Sequence, residues 1–466
     1  MFESSSISRL KDSGRLHQLL SVIGVLAFCL LFSAPAVGLQ IRAHPGVFRV
    51  DEHMYIDYLY RVDAGRYYLP HGQLLTAAAV QEIRCRGTEP IPPPPTPPAR
   101  NCKVMPYGFT GLPDGGYNSA DIYPPTYFML TDVGARLLMD VGVTTNLVTA
   151  GRLTGVLWMA LGMTVVFFLA RELGAKKSAA WAALLLTGCT PWFLAFWFHV
   201  TPDAMSLPMG GLVVLAALKW DRKQLGFGWM IAASVLSIAI KPVNIVAVAA
   251  MGLFFAIRAV RRLTGCPMDE PVAAADSAIS EMQRPSRWAV ARHDVMGIAY
   301  TSGVGLLALL SWQGYRTFVA PPGATTPYDH LFPIHGFDIT WLSRYFASFI
   351  RIQNLGWSDA YQLSTLFPVL VAGTVASIAF SYAGRLRIQA LALSTLSLAL
   401  IGPFGLGVMT ALATGSAVPP QVRYGLSLMA PMVAIAATTW RTKSAQYVIR
   451  VMILLLELTS LSWAHL

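Results

Sequence analysis

Residues 19–41 read LLSVIGVLAFCLLFSAPAVGLQI, 23 positions without a charged side chain. A bilayer's hydrocarbon core takes about 20 such residues as a helix. The preceding tail carries Arg9, Lys11 and Arg15, which suits a signal peptide as well as a first span. The run is long for a signal, and Pro35 spoils the cleavage site that Ser33-Ala34-Pro35-Ala36 would offer. It is read as a retained first span behind a cytoplasmic tail, residues 1–18.

Outward from this run the pattern repeats. Further apolar runs lie at 147–170, 178–197, 204–220, 227–240, 243–259, 296–319, 364–383, 388–413, 426–440 and 447–463. The expected fold is an all-α polytopic membrane protein with about eleven spans. Of the 466 residues, 55% are hydrophobic and only 13% charged. That balance excludes disorder over most of the length and a soluble enzyme, and the solid apolar blocks exclude a β-barrel. The net charge of +11 comes from Lys and Arg clusters between runs: Arg171/Lys176/Lys177, Arg222/Lys223, Arg258/Arg261/Arg262, Arg385/Arg387 and Arg441/Lys443. All fall on the side of the N-terminal tail, as the positive-inside rule requires. They need no nucleic acid to explain them.

Two segments are then external: 42–146, between spans one and two, and 320–363, after span seven. Residues 147–319 hold spans two to seven with a cytoplasmic linker at 260–295, and 364–466 hold spans eight to eleven. Cys85 and Cys102 flank Pro92-Pro93-Pro94-Pro95-Thr96-Pro97-Pro98 in the first loop. A disulfide closing this stiff excursion is expected in an oxidising exterior; the alternative is two free thiols. The aromatic residues of the second loop, Tyr328, Phe332, Phe337, Trp341, Tyr345 and Trp357, read as an interfacial belt. With Trp192, Trp197 and Tyr315 they would wall the outer rim of a cavity.

The chemistry is expected where charge meets the outer face. Pro45-Gly46-Val47-Phe48-Arg49-Val50-Asp51-Glu52-His53-Met54-Tyr55 follows the first run directly. From Glu52, the spacing of Tyr55, Tyr58, Leu59 and Val62 predicts a short amphipathic helix lying on the interface. Asp51 and Glu52 then stand at its N-terminus, either as a cap and a dipole partner or as a carboxylate that takes a proton from an acceptor hydroxyl. Asp121-Ile122-Tyr123-Pro124-Pro125 precedes a second amphipathic stretch, and Thr201-Pro202-Asp203-Ala204 opens the fourth span.

The order of these features resembles the C-type glycosyltransferase superfamily of integral-membrane enzymes, in particular a bacterial branch. Asp51-Glu52, Pro202-Asp203-Ala204 and Gln421-Val422-Arg423-Tyr424 match its acidic motif, its Pro-Asp-Ala turn and its late Gln-x-Arg-Tyr, and Ala150-Gly151-Arg152-Leu153 falls near span two. The resemblance covers about residues 41–260 and the Arg423 region. It implies a polyprenyl-phosphate sugar donor, Asp51 as the base with Glu52 in support, and Arg423 near the lipid phosphate. The chain departs from the pattern in His53, in the proline-rich insertion, and in showing no counterpart of the large soluble C-terminal domain with which many relatives hold the acceptor.

A departing phosphate calls for fixed cations, and Arg423, Lys241, Arg344 and Arg351 are the candidates. His53, Tyr55, Asp121, Tyr123, Asp203, Gln421 and Tyr424 are expected to wall the cavity. One displacement needs one base and inverts the anomeric carbon. No metal-ligand spacing is present among the histidines, so no cofactor is required, although the resemblance leaves room for a divalent cation at the acidic pair. The expected acceptor is a cell-envelope glycan, lipid or protein, and the expected site is extracytoplasmic in the plasma membrane. The alternatives are a transporter or flippase of lipid-linked saccharides and a non-catalytic assembly subunit.

Overall fold

The computed structural model describes residues 4–48, 51–89, 112–264, 287–324, 345–350, 366–381, 386–414 and 420–463. Each apolar run of the sequence falls on helix there. In chain order the helices are α1 (Ser4–Ala43), α2 (Glu52–Asp63), α3 (Ala77–Arg86), α4 (Thr126–Asp140), α5 (Leu147–Leu153), α6 (Gly155–Glu172), α7 (Lys177–Cys189), α8 (Pro191–Trp197) and α9 (Asp203–Asp221). Then come α10 (Phe227–Ile240), α11 (Ile245–Thr264), α12 (Arg287–Ile298), α13 (Val304–Val319), α14 (Leu366–Ala379), α15 (Leu386–Thr414), α16 (Leu426–Ala437) and α17 (Lys443–Trp463). Among the described residues β-structure is limited to two isolated bridges, Val47 with Thr88 and Leu74 with Tyr117.

Six helical stretches are long and apolar enough to cross a membrane: Leu19–Ala43, Leu147–Glu172, Pro242–Thr264, Ala291–Val319, Leu386–Ala411 and Lys443–Leu461. A seventh is α7 with α8, bent by 64°, because Pro191 cannot donate to the preceding turn and opens a new helix. The chain is an all-α, multi-pass membrane protein. Helix α9, with 19 residues, carries charged residues at both ends, and three further apolar helices are shorter: α10, with 14 residues, rises only about 21 Å against a core of about 30 Å. Leu31 on α1, Phe318 on α13 and Leu454 on α17 are 77%, 88% and 60% exposed, faces that suit lipid.

At the centre, α9 packs against α6, α10 and α16, and α6 also packs against α1. Two glycines permit the close approaches. A Cβ on Gly210 would strike the Ser427 carbonyl, and one on Gly155 the Trp197 carbonyl. The first lets α9, headed by Asp203, lie against the segment that carries Arg423.

Three differences from the sequence reading matter. Helix α2 does not lie half-exposed on an interface: ten of its twelve residues are buried among α3, α4 and α5. The expected linker is helical up to Thr264 and again from Arg287, with residues 265–286 outside the described set. Trp192 and Trp197 are core residues, each 1% exposed, and the Trp197 indole donates to the Ala204 carbonyl at 3.1 Å.

At its far end, α9 is fastened by Asp221, which pairs with Arg258 at 2.6 Å and Arg387 at 2.9 Å. That end lies about 27 Å from Asp203 along the helix axis.

Candidate active site

Four charged side chains from four separate segments converge. Asp51 immediately precedes α2, Asp203 is the first residue of α9, Lys241 joins α10 to the 3-10 turn Pro242–Asn244, and Arg423 lies in the 3-10 turn Val422–Gly425 ahead of α16. Arg423 forms an ion pair with Asp51, and its Nε lies 3.8 Å from Asp203 Oδ2. Asp203 Oδ1 takes Lys241 Nζ. Acids and cations alternate as Asp51–Arg423–Asp203–Lys241, with no net charge.

Local chemistry fixes each member. Asp51 sits at φ 68°, a left-handed conformation that Asp tolerates better than most residues. Its side chain makes no cap hydrogen bond, while its carbonyl accepts from Met54 and Tyr55 N–H at 3.0 and 3.2 Å. The carboxylate is 24% exposed. The Thr201 hydroxyl donates to Asp203 Oδ2 at 3.2 Å. Lys241 is fully buried between the rings of Tyr123 and Tyr424, 5.8 and 5.2 Å from their centroids; Arg423 lies 5.6 Å from the Tyr424 centroid. Burial holds Lys241 below its ordinary value, against the pull of Asp203. Tyr55 donates to the Tyr123 hydroxyl at 3.4 Å, and burial raises both phenols so that they stay neutral.

Glu52, next to Asp51, is engaged elsewhere. Arg152 donates to Oε1 at 2.9 Å and to Oε2 at 2.7 Å. Phe48 N–H adds a bond to Oε2 at 2.7 Å, and Val200 N–H one to Oε1 at 3.0 Å. Arg152 also donates to the His44 and Gly46 carbonyls at 2.8 and 2.5 Å. Burial alone would raise the Glu52 carboxyl, but Arg152 and these hydrogen bonds hold it below its ordinary value. The pair ties the exit of α1, the start of α2, the junction of α5 and α6, and the loop leading to Asp203.

The remaining expected residues divide. Tyr55, Tyr123, Asp203 and Tyr424 gather at the charge chain. Gln421 precedes it, its carbonyl accepting from Tyr424 N–H at 2.9 Å, and His53 is buried on α2. Asp121 joins another group, accepting from Arg316 of α13 at 2.6 Å, with His71 Nδ1 at 3.1 Å. Arg344, Arg351 and Cys102 lie outside the described residues; Cys85 is half-buried on α3. Among the described residues no three His, Cys, Asp or Glu side chains form a metal-binding group.

Sequence reasoning left two residues unassigned. Arg152 carries a signal in hindsight, as a lone cation inside an apolar run. His199 lies beside it in space: it is buried, stacks on Phe48 with centroids 4.6 Å apart, and shares a crevice with Glu52, Thr201 and Arg423.

Residues 124–268 match the family model of dolichyl-phosphate-mannose-protein mannosyltransferases. This stretch is similar to that family of C-type glycosyltransferases. The family-model match takes in Arg152, His199, Asp203 and Lys241, while Asp51, Glu52 and Arg423 lie outside it. A crystal structure of ArnT from Cupriavidus metallidurans bound to undecaprenyl phosphate is similar at 15% identity and a TM-score of 0.47, over 90% of this chain. The chain spans 61% of the length of that protein. No curated protein sequence matches it.

Proposed function

We propose that this chain is a membrane glycosyltransferase that moves a sugar from a polyprenyl-phosphate donor to a hydroxyl of a cell-envelope glycan, lipid or protein. The site would face the extracytoplasmic side of the plasma membrane. The observation that carries this reading is the charge chain Asp51–Arg423–Asp203–Lys241, buried except at Asp51. The match to a family named for dolichyl-phosphate mannose, a sugar on a lipid phosphate, supports a donor of that class.

In the resting site Arg423 neutralises Asp51. An arriving phosphate competes for Arg423 and Lys241 and so releases the Asp51 carboxylate. The acceptor oxygen then bonds to the anomeric carbon as the bond from that carbon to the phosphate oxygen breaks. The acceptor proton passes to Asp51, and the bonding electrons leave with polyprenyl phosphate, whose charge the two cations stabilise. A single displacement inverts the anomeric configuration. Asp203 holds Lys241 in place, and Glu52 positions its neighbour Asp51.

The test uses purified protein in detergent with a panel of radiolabelled polyprenyl-phosphate sugars and extracted envelope material as acceptor. Labelled product should form without any sealed compartment, with its anomeric configuration inverted by NMR. Labelled lipid that crosses vesicle membranes without product forming would mean a transporter instead. A retained configuration would exclude the single displacement.

A further inference from the structure

The crevice beside Arg423 is lined by two side chains that each keep a polar atom without a hydrogen bond. His199 is 2% exposed. Its Nδ1 lies 2.7 Å from the Ala195 carbonyl, which only accepts, so Nδ1 carries the proton and Nε2 presents a lone pair. That Nε2 has no hydrogen-bond partner among the described residues, and neither has Arg423 Nε, a donor whose nearest acid, Asp203 Oδ2, stands 3.8 Å away. Phe48, Glu52, Thr201, His199 and Arg423 all line this one crevice. It has room for about one water-sized group.

A buried acceptor and a buried donor on two side chains that line one crevice cost free energy when left without hydrogen bonds. Together they complement a hydroxyl, which gives one hydrogen bond and takes another. A phosphate oxygen would satisfy Arg423 but could give nothing to Nε2. Burial also disfavours the imidazolium, with Glu52 opposing and Arg152 reinforcing, so that His199 lies below its ordinary value.

We propose that this crevice is a subsite for one hydroxyl of the donor sugar, with His199 Nε2 accepting from it and Arg423 Nε donating to it. This rests on the glycosyltransferase reading above. A sugar is attached directly to the phosphate that Arg423 would hold, so the neighbouring crevice is where its ring hydroxyls arrive. His199 then serves as a determinant of donor-sugar specificity.

The experiment measures binding by the full chain in nanodiscs, for polyprenyl phosphate alone and for a panel of polyprenyl-phosphate sugars. In the parent protein at least one sugar should bind more tightly than the bare lipid phosphate. His199→Phe keeps the stack on Phe48 and removes the acceptor. It should weaken that sugar lipid about tenfold and leave the bare lipid phosphate unchanged. His199→Gln retains an acceptor and should stay within about threefold of the parent. Should the Phe variant unfold, monodeoxy analogues of the sugar give the same information on the parent: one alone should lose about tenfold.

Equal losses for both lipids, or a panel in which no sugar adds affinity, would overturn the subsite while leaving the lipid-phosphate reading intact. Failure of the parent to bind polyprenyl phosphate at all would overturn the glycosyltransferase reading, and this inference with it.

Discussion

Arg423 reaches Asp51 across 372 positions of chain, joining the last third of the protein to the loop that leaves the first span. The same guanidinium lies 3.8 Å from Asp203. One cation therefore connects both acids, and displacing it from Asp51 is what the proposed chemistry needs.

Asp51→Asn should lower kcat by about 10²- to 10⁴-fold, the usual contribution of a general base. Polyprenyl phosphate should bind at least as tightly as to the parent, since Arg423 has lost its competing carboxylate. Turnover and lipid binding measured on one preparation check this; a kcat within threefold of the parent would remove Asp51 from the mechanism.

Arg423→Ala should lower kcat/KM by about 10²- to 10³-fold, as expected for losing a charge-stabilising donor. Arg423→Lys should recover only part of that, since an ammonium keeps the charge without the planar fork. Full recovery by Lys would show that a point charge suffices there.

Removing one partner of the Glu52–Arg152 pair leaves the other buried and uncompensated, at a cost of about 3–5 kcal/mol. Glu52→Ala and Arg152→Ala should both show as a large fall in thermal stability in detergent. The pH dependence has a definite sign. Because the folded carboxyl lies below its ordinary 4.5, its contribution is fully present above about pH 4.5. It is lost as the pH falls through the folded value. Glu52→Gln should flatten that acid limb; an unchanged limb would assign it to other groups.

Excess EDTA should leave turnover unaltered, because Arg423 and Lys241 already supply positive charge at the leaving phosphate. Loss of activity that returns with Mg²⁺ or Mn²⁺ would instead bring a divalent ion to the acidic pair.

Much of the architecture was legible because bilayer insertion depends on length and apolarity, which are properties of contiguous sequence. Residues 19–41 and the later runs announced helices, and within the described residues they fall on helices. The acids Asp51 and Asp203 and the cations Lys241 and Arg423 stood out as charges between apolar runs. Span number was less legible, since α10 and α16 are short and α7 breaks at Thr190, and a helix's depth depends on its neighbours.

What the sequence by itself determined is the helical membrane architecture and a short roster of charged residues, because both follow from local composition. Only the tertiary structure decided which charges meet. Glu52 and Asp51 are adjacent and chemically alike, yet Arg152, 100 positions away, engages one and Arg423 the other. Asp121, expected in the same cavity, goes instead to Arg316 and His71. Ion pairing acts over a few ångströms in space, and distance along the chain does not encode it.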